Sequence, residues 1–371
     1  MSARQAGYPR TFALSRICPP PRVTFTQPTN GDTGMSAPPM PAVQVTGLRK
    51  SFRVAGATIE AVSGIDLTVP AGEIFGLLGP NGAGKTTTLR ILTTLLPADA
   101  GSAFIAGADV FRAPGLVRRR IGYVGQLGGA DKEATGRENL LLAGRLYGLS
   151  AADARRRCAE LTAVFDLEPL ADRSVRTYSG GQRRRLEVAL GIMHRPQVLF
   201  LDEPTTGLDP QNRANLWEQL RLLREEGTTI FLTTHYLDEA DHLCDRVAIV
   251  DHGRVIALGR PDELKQRYSA DTIVVTAEAS AAVLDAVTRE LADDPSITSL
   301  VVEQGTIRVT ATDATRALAA VFGALASKGV PTRAASVARP TLDDVFLRET
   351  GRSLRDAGSP SINAGATGAA A

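Results

Sequence analysis

The sequence predicts an α/β fold with a mostly parallel sheet, joined to a smaller α+β module. Two observations support this fold class. Between residues 73 and 268, short apolar segments alternate with helical patterns, and such alternation is typical of βα units whose sheet is buried on both faces. Beyond about residue 268, the predicted order of elements becomes βαββαβ, which is compatible with a ferredoxin-like module.

The composition favours a globular protein without a membrane span of its own. The 371 residues are 43% hydrophobic, yet no run approaches the roughly eighteen apolar residues that cross a bilayer. Any membrane association is therefore expected through a partner. The three cysteines show neither metal-binding nor paired spacing, which favours the cytoplasm. The net charge is only +2, and we expect no nucleic-acid partner because solvated helix faces account for the arginine triplets at 118–120, 155–157 and 183–185.

The chain divides into four predicted segments. Proline-rich residues 1–41 are expected to be disordered, and we hypothesise an over-extended reading frame with the natural start at Met35 or Met40. Arg16 and the prolines interrupt any apolar core of a signal peptide. The remaining segments are a main domain at 42–268, an accessory α+β domain at 269–351, and a disordered Gly- and Ala-rich tail at 352–371.

The main domain is predicted to open with antiparallel strands. Residues 43–45 and 65–69 alternate polar and apolar side chains and contain β-branched residues. A helical subdomain is expected over about 137–195, where the segments have helical periodicity. The βα units are predicted as strands at 74–78, 198–201 and 228–233, followed by helices at 85–96, 213–226 and 237–244.

The accessory domain has its own alternation of strands and helices. Thr341 offers a helix N-cap with Asp344 three residues later, so a short terminal helix is expected to follow it. The elements before it are predicted as strands at 272–276, 299–303, 306–310 and 332–337, with helices at 281–291 and 314–327.

A phosphate-binding loop follows the first buried strand of the parallel sheet. A glycine-rich turn between a strand and a helix points several backbone N–H groups at one spot, where the helix dipole also favours negative charge. Lys85 can reach the β- and γ-phosphates, and the Thr86 hydroxyl can bind Mg²⁺. The loop therefore predicts binding of a nucleoside triphosphate by the consecutive residues Gly79, Pro80, Asn81, Gly82, Ala83, Gly84, Lys85, Thr86 and Thr87.

Two acidic residues end the buried strand at 198–201. Because a parallel sheet presents its carboxyl edge to ligand, Asp202 can hold Mg²⁺, usually through water, next to Thr86. Glu203 can then polarise a water for in-line attack on the γ-phosphate, since the metal and Lys85 neutralise the developing charge. The pair predicts hydrolysis of the bound nucleotide.

A second glycine-rich helix start indicates the family. The segment Tyr178-Ser179-Gly180-Gly181-Gln182 lies between the phosphate loop and the acidic strand, and it resembles the signature loop of ATP-binding cassette (ABC) ATPases. In that family two cassettes pack head to tail. The resemblance thus implies a homodimer in which the signature segment of one copy meets the γ-phosphate of ATP bound to the other. Tyr178 replaces a commoner leucine and is expected to contact the helical subdomain.

The resemblance assigns roles to four further residues. It places Gln126 against Mg²⁺ and the attacking water, where it also reports on a transmembrane partner, and it places His235 against the γ-phosphate as a switch. Asp209 is expected at the dimer interface. Phe52 is expected to stack on adenine, although an aromatic residue beside a strand is by default core.

Two less specific segments narrow the expected function. Residues 131–140 and 340–347 resemble segments of the daunorubicin-resistance subfamily of ABC exporter ATPases. In that subfamily the ATPase and the permease are separate chains. The resemblance therefore implies a membrane permease partner, a peripheral location on the cytoplasmic face of the membrane, and ATP-driven drug efflux. We expect the accessory domain to stabilise or regulate the dimer, and a simple capping helix is the alternative interpretation of the residues from 341 onward.

Three alternative functions compete with drug efflux. A polysaccharide or lipid exporter subunit would share the same site chemistry. A cassette ATPase acting on DNA or ribosomes is disfavoured, because the chain lacks a long coiled-coil insertion between Lys85 and Ser179 and carries a single cassette. A GTPase with a phosphate loop is disfavoured because no Asn-Lys-x-Asp element occurs in the sequence.

Overall fold

A computed structural model describes residues 40–350, apart from residues 55, 269–270, 278–279, 293, 304–305 and 339. The disorder expected for residues 1–41 and 352–371 falls outside the described residues, except at positions 40 and 41. The strands are β1 (Val43–Val54), β2 (Ala57–Val69), β3 (Ile74–Leu78), β4 (Ala100–Ile105), β5 (Ala108–Asp109), β6 (Ile121–Val124), β7 (Val198–Asp202), β8 (Thr229–Thr234), β9 (Arg246–Asp251), β10 (Arg254–Gly259), β11 (Asp271–Ala277), β12 (Ile297–Glu303), β13 (Thr306–Ala311) and β14 (Thr332–Ala338).

The α-helices alternate with these strands. In chain order they are α1 (Lys85–Leu92), α2 (Pro114–Arg120), α3 (Gly136–Leu146), α4 (Ala151–Val164), α5 (Gly180–Gly191), α6 (Pro210–Glu225), α7 (Leu237–Leu243), α8 (Pro261–Tyr268), α9 (Ala281–Leu291), α10 (Ala314–Ser327) and α11 (Leu342–Thr350). Within the described ranges, every helix falls short of the length and apolar character that a bilayer crossing requires.

The central sheet confirms the predicted parallel architecture. Its six strands run in the order β10-β9-β3-β8-β7-β6, and every neighbouring pair is parallel except β10 with β9. Strands β3, β7 and β8 are buried along their whole length, and the rings of Phe75, Phe200 and Phe231 pack as tilted pairs with centres 5.3 and 5.4 Å apart. Because parallel strands end at one edge, the segments that follow β3, β6, β7 and β8 meet there.

Two further layers cover the faces of this sheet. Alternate side chains of β3 enter different cores: Phe75 packs with the antiparallel sheet β2-β1-β4-β5, whereas Ile74 packs with the helices α3 to α5. The antiparallel pairing of β1 with β2, which matches Val43 with Val69, confirms the strands predicted at the start of the domain. The predicted helical subdomain is likewise present as α3, α4 and α5.

Two helices of the main domain differ from their predicted bounds by three residues or more. The helix predicted at 85–96 ends at Leu92, because the chain adopts a left-handed conformation at Thr94, with φ of +64°. The helix predicted at 213–226 begins earlier, at Pro210, because the Asp209 carboxylate accepts a hydrogen bond from the backbone N–H of Asn212 at 3.0 Å and proline is tolerated in the first turn.

The accessory domain has the predicted ferredoxin-like topology. Its four strands are antiparallel in the order β12-β13-β11-β14, and α9 and α10 bury one face of this sheet. The terminal helix begins at the predicted cap, where the Thr341 backbone N–H donates to the Asp344 carboxylate at 2.8 Å. Val345 and Phe346 are buried in the core shared with the helical subdomain, and α11 contacts α7 and α8, so this helix packs against the main domain.

Candidate active site

The loop after β3 wraps tightly because glycines occupy the positions of closest approach. Gly84 has φ of +98°, and a Cβ there would lie 2.2 Å from the carbonyl oxygen of Ala61. A Cβ on Gly79 would lie 2.2 Å from the carbonyl oxygen of Val250. These contacts leave no room for a side chain, and they place the loop directly before the first turn of α1, where backbone N–H groups attract anions.

Lys85 is held inside this loop. Its ammonium donates hydrogen bonds to the carbonyl oxygens of Gly79 at 2.7 Å and Pro80 at 2.9 Å, and it lies 3.8 Å from Oε1 of Glu203. Burial lowers the pKa of the ammonium, while the carboxylates of Glu203 and Asp202 oppose that shift. The charge is thus fixed at the point where the loop would receive phosphate oxygens.

Asp202 accepts hydrogen bonds from hydroxyl groups on two neighbouring segments. Its Oδ1 accepts hydrogen bonds from Thr86 Oγ1 at 3.0 Å and from Thr233 Oγ1 at 2.6 Å, and the residue is buried. In the described part of the chain, no group of three or more His, Cys, Asp or Glu residues could hold a metal ion. One carboxylate beside one hydroxyl is nevertheless the oxygen set with which proteins hold Mg²⁺ against phosphates and water, so these residues fit that ion.

Glu203 is the residue on which the site converges. It adopts a left-handed backbone conformation, with φ of +46°, and its N–H donates to the Thr233 carbonyl at 3.1 Å. This turn brings the carboxylate to Lys85 on one side and to His235 Nδ1, 3.2 Å from Oε1, on the other. Its other oxygen, Oε2, accepts a hydrogen bond from Gln126 Nε2 at 3.4 Å.

The surroundings favour the ionised form of the Glu203 carboxyl. The approach of His235 is the largest influence lowering the pKa of Glu203, and it outweighs the burial that raises it. The His235 ring nitrogen lies at ion-pair distance but is not aimed for a hydrogen bond. A carboxylate with a lowered pKa stays ionised at neutral pH and is a weaker proton acceptor, which suits a group that orients and polarises water through a hydrogen bond.

The glycine-rich segment at the start of α5 forms a second group with Asp209. Ser179 caps the helix, and its backbone N–H donates to the Gln182 side chain at 2.9 Å. A Cβ added to Gly180 would meet open space, whereas one added to Gly181 would lie 2.5 Å from the side chain of Asn212. The backbone N–H of Asn212 donates to the Asp209 carboxylate, which caps α6. The predicted signature and interface residues therefore lie side by side.

Two aromatic residues with expected roles, Tyr178 and Phe52, lie apart from these groups. The Tyr178 hydroxyl donates to the Leu170 carbonyl at 2.6 Å, so this side chain contacts the helical subdomain as expected. Phe52 lies on β1, opposite Ile59 of β2, with Lys50 Nζ 5.6 Å from its ring centre. Its stacking on adenine stays a prediction.

Arg184 is buried, and the prediction that its triplet forms a solvated helix face is wrong for this residue. The triplets were expected to be solvated, but the side chains of Arg184 and Arg157 are only 8% and 12% exposed. Arg184 donates to backbone carbonyls at the ends of β6 and β7, and it pairs with Glu187. An acidic residue three positions along the same helix was the available signal, because such spacing allows an ion pair.

A groove of about 840 Å³ lies beside Gln126, between the end of β6 and helices α3 and α5. Its lining includes apolar side chains that stand in solvent: Leu127 is fully exposed, and Leu142 and Leu146 are 59% and 78% exposed. Exposed apolar groups clustered in a concave surface are typical of sites that bind a partner.

Both the main domain and the accessory domain are similar in sequence to known protein families. The family described as ABC transporter matches residues 62–206, and the family described as ATP-binding protein DrrA1-3-like, C-terminal domain, matches residues 259–350. The chain is 44% identical over 322 residues to the daunorubicin/doxorubicin resistance ATP-binding protein DrrA of Streptomyces peucetius, covering 87% of this chain and 96% of that protein.

Two further comparisons extend this similarity. The chain is 40% identical over 317 residues to the Nod factor export ATP-binding protein I of Ralstonia nicotianae, covering 85% of this chain and 96% of that protein. A dimeric ATP-binding cassette in a post-hydrolysis state, bound to ADP and Pi, superposes with a TM-score of 0.54 at 25% identity, covering 59% of this chain and 98% of the other.

Proposed function

Because the chain belongs to the family of ABC transporter ATP-binding proteins, we propose that it hydrolyses ATP to power an exporter that removes a drug or another hydrophobic compound through a separate membrane permease. The observation that carries this proposal is the convergence of Lys85, Gln126 and His235 on the Glu203 carboxylate. A positively charged loop that binds phosphate and an ionised carboxylate that polarises water, within 4 Å of each other, suit the hydrolysis of a terminal phosphate.

The chain's own residues divide the chemistry among them. The amides of the loop after β3 and the ammonium of Lys85 bind the β- and γ-phosphates of ATP. Glu203 orients and polarises the attacking water, and His235 contacts the γ-phosphate from the end of β8. Thr86 and Asp202 would hold Mg²⁺, with Gln126 at its edge, and the ion would neutralise the charge that develops on the phosphoryl oxygens.

The second group of residues acts across a dimer. Ser179, Gly180, Gly181 and Gln182 of one copy complete the cage around the ATP bound by the other, and Asp209 lies at the contact between the copies. The open surface at Gly180 and the exposed position of Ser179 support this role. ATP closes the pair and ADP releases it, because the two nucleotides differ in affinity for the closed form.

The groove beside Gln126 is the proposed contact with the permease. A concave surface with exposed leucines suits the apolar face of a short helix, and the groove shares the loop at 125–129 with the catalytic centre. This contact would place the chain peripherally on the cytoplasmic face of the membrane and would couple nucleotide turnover to movement of the permease.

Export of a lipid or polysaccharide is the second candidate function. The 40% identity to a Nod factor export ATP-binding protein supports an exported compound other than a drug, and the site chemistry is common to both functions. Transport assays with the permease reconstituted in vesicles distinguish the two, since a drug and a lipid-linked saccharide would be offered separately and only one would accumulate.

The proposed function is tested by Glu203→Gln in the purified chain. We expect ATP turnover to fall by about a hundredfold or more, while ATP remains bound and a dimer accumulates. Glu218→Gln on α6, a 67% exposed side chain, is the matched control and should turn over ATP at the wild-type rate. Normal turnover by Glu203→Gln would contradict the proposal.

A further inference from the structure

One buried guanidinium joins three separate backbone segments. Arg184, on the helix that starts at the glycine-rich segment, donates from Nε to the Pro204 carbonyl at 2.8 Å, from Nη1 to the Gly125 carbonyl at 2.8 Å, and from Nη2 to the Asp202 carbonyl at 3.1 Å. Its side chain is 8% exposed, so these bonds form away from bulk water, where they are stronger.

The three carbonyls flank the residues at the catalytic centre. Asp202 and Pro204 are the neighbours of Glu203 on either side, and Gly125 precedes Gln126. The Glu203 backbone has φ of +46°, a conformation that non-glycine residues adopt only when their surroundings hold them there. Arg184 supplies two of those restraints, one on each side of the strained residue.

Glu187 forms an ion pair with Arg184 beneath the loop that carries Gln126. Its Oε2 lies 3.1 Å from Nη1 of Arg184, so the buried positive charge has a partner. A Cβ on Gly128 would lie only 1.9 Å from Oε1 of Glu187, which means that the loop at 125–128 sits directly on this carboxylate. The ion pair is therefore in contact with the loop, the acidic strand end and α5 together.

We propose that Arg184 is a positioning residue for ATP hydrolysis: it holds the Glu203 and Gln126 segments in fixed register with α5, so that movement of α5 or of the groove-lining loop reaches the catalytic carboxylate. The proposal rests on the proposed function, since it concerns the same hydrolysis. It goes further because it assigns the link between α5 and the Glu203 carboxylate to one side chain that would contact neither nucleotide nor metal.

The geometry requires arginine at this position. A planar guanidinium donates in several fixed directions at once, whereas a lysine ammonium is a compact point charge on a flexible stem. Arg184→Lys keeps the charge beside Glu187 but cannot bridge the three carbonyls in the same plane. Small misplacement of catalytic groups can cost about a hundredfold in rate, so we expect kcat to fall by about ten- to a hundredfold, with the KM for ATP changed less than about threefold.

The test compares Arg184→Lys with Arg185→Lys in the full chain. Arg185 belongs to the same helix, and it donates to the Phe165 carbonyl at 3.0 Å in the helical subdomain, away from the catalytic edge. We expect Arg185→Lys to keep its kcat. Glu187→Gln, which leaves the three carbonyl bonds of Arg184 in place, should lose less activity than Arg184→Lys.

The possible outcomes separate the inference from the function it depends on. A kcat for Arg184→Lys within about twofold of wild type would overturn the inference. So would a loss of thermal stability and ATP binding that accompanies the loss of kcat, because it would assign Arg184 a purely structural role. Glu203→Gln in the same assay reports on the proposed function: if it turns over normally, that function fails, whatever Arg184→Lys does.

Discussion

Gln126 and Glu203 meet at the edge of the central sheet, with Nε2 of Gln126 3.4 Å from Oε2 of Glu203, although 77 residues separate them in the sequence. They follow β6 and β7, which are adjacent and parallel, so the contact is a direct consequence of strand order. The glutamine also lines the apolar groove beside α3. A partner seated in that groove would therefore contact the same residue that contacts the Glu203 carboxylate.

The first prediction concerns this contact. Gln126→Ala removes the only amide that donates to Glu203 Oε2 among the described side chains, so we expect kcat for ATP to fall by about ten- to a hundredfold. Steady-state hydrolysis measures the effect. Gln266→Ala on the exposed surface of α8 is the control and should leave kcat unchanged, while equal rates for both variants would count against a role for Gln126.

The second prediction concerns pH. Since His235 lowers the pKa of Glu203, this carboxyl should lose its proton at a lower pH than an ordinary glutamate, and the acid limb of the hydrolysis rate should lie correspondingly low. His235→Ala removes the largest lowering influence, so the pKa of Glu203 should rise and the acid limb of the single-turnover rate should move to higher pH. His242→Ala, on the exposed side of α7, should leave the limb in place. An acid limb that stays in place in His235→Ala would refute the assigned contact.

The third prediction concerns the loop after β3. Gly84→Ala places a methyl group 2.2 Å from the Ala61 carbonyl at a residue with φ of +98°, so the loop must shift. We expect a loss of roughly 1–3 kcal/mol in the free energy of unfolding and weaker ATP binding. Both are measured by thermal unfolding with and without nucleotide. Gly115→Ala, where a Cβ meets no atom within 4 Å, is the control, and equal behaviour of the two variants would contradict the geometry.

The fourth prediction concerns the terminal helix. Phe346 is fully buried in the core shared with the helical subdomain, so Phe346→Ala should destabilise the chain by about 3–5 kcal/mol. Leu347→Ala, at a side chain 46% exposed, should cost much less. Chemical denaturation, followed by the fluorescence of Trp217 on α6, measures the unfolding of the main domain. An unchanged transition there in Phe346→Ala would mean that α11 does not support the main domain.

Much of the fold was predictable because local signals and topology agreed. The strand before Gly79 and the helix from Lys85 bracket the phosphate loop, and the βαββαβ pattern gave the correct class for the accessory domain. The early end of α1 was not predictable, since Thr94 carries no residue signal for a left-handed backbone. The nucleotide-binding and catalytic roles of individual residues stay predictions until they are tested.

The sequence offered only one partial signal for the burial of Arg184, the acidic Glu187 three positions along the same helix. The partners of Arg184 are mainly backbone carbonyls 18, 20 and 59 residues away, and a carbonyl leaves no mark in the sequence that a side-chain pattern can reveal. An arginine triplet on a helix is by default a solvated face. Only the meeting of α5 with the ends of β6 and β7 shows that the Arg184 side chain points toward these strand ends.

The most direct test of the account is the ATP turnover per subunit, measured across a dilution series together with the fraction of ATP-bound dimer in the same samples. If Ser179 and Gly181 of one copy complete the site that contains Lys85 of the other, turnover per subunit should rise with protein concentration in parallel with that fraction. A constant turnover from a protein that stays strictly monomeric throughout the series would contradict the shared site.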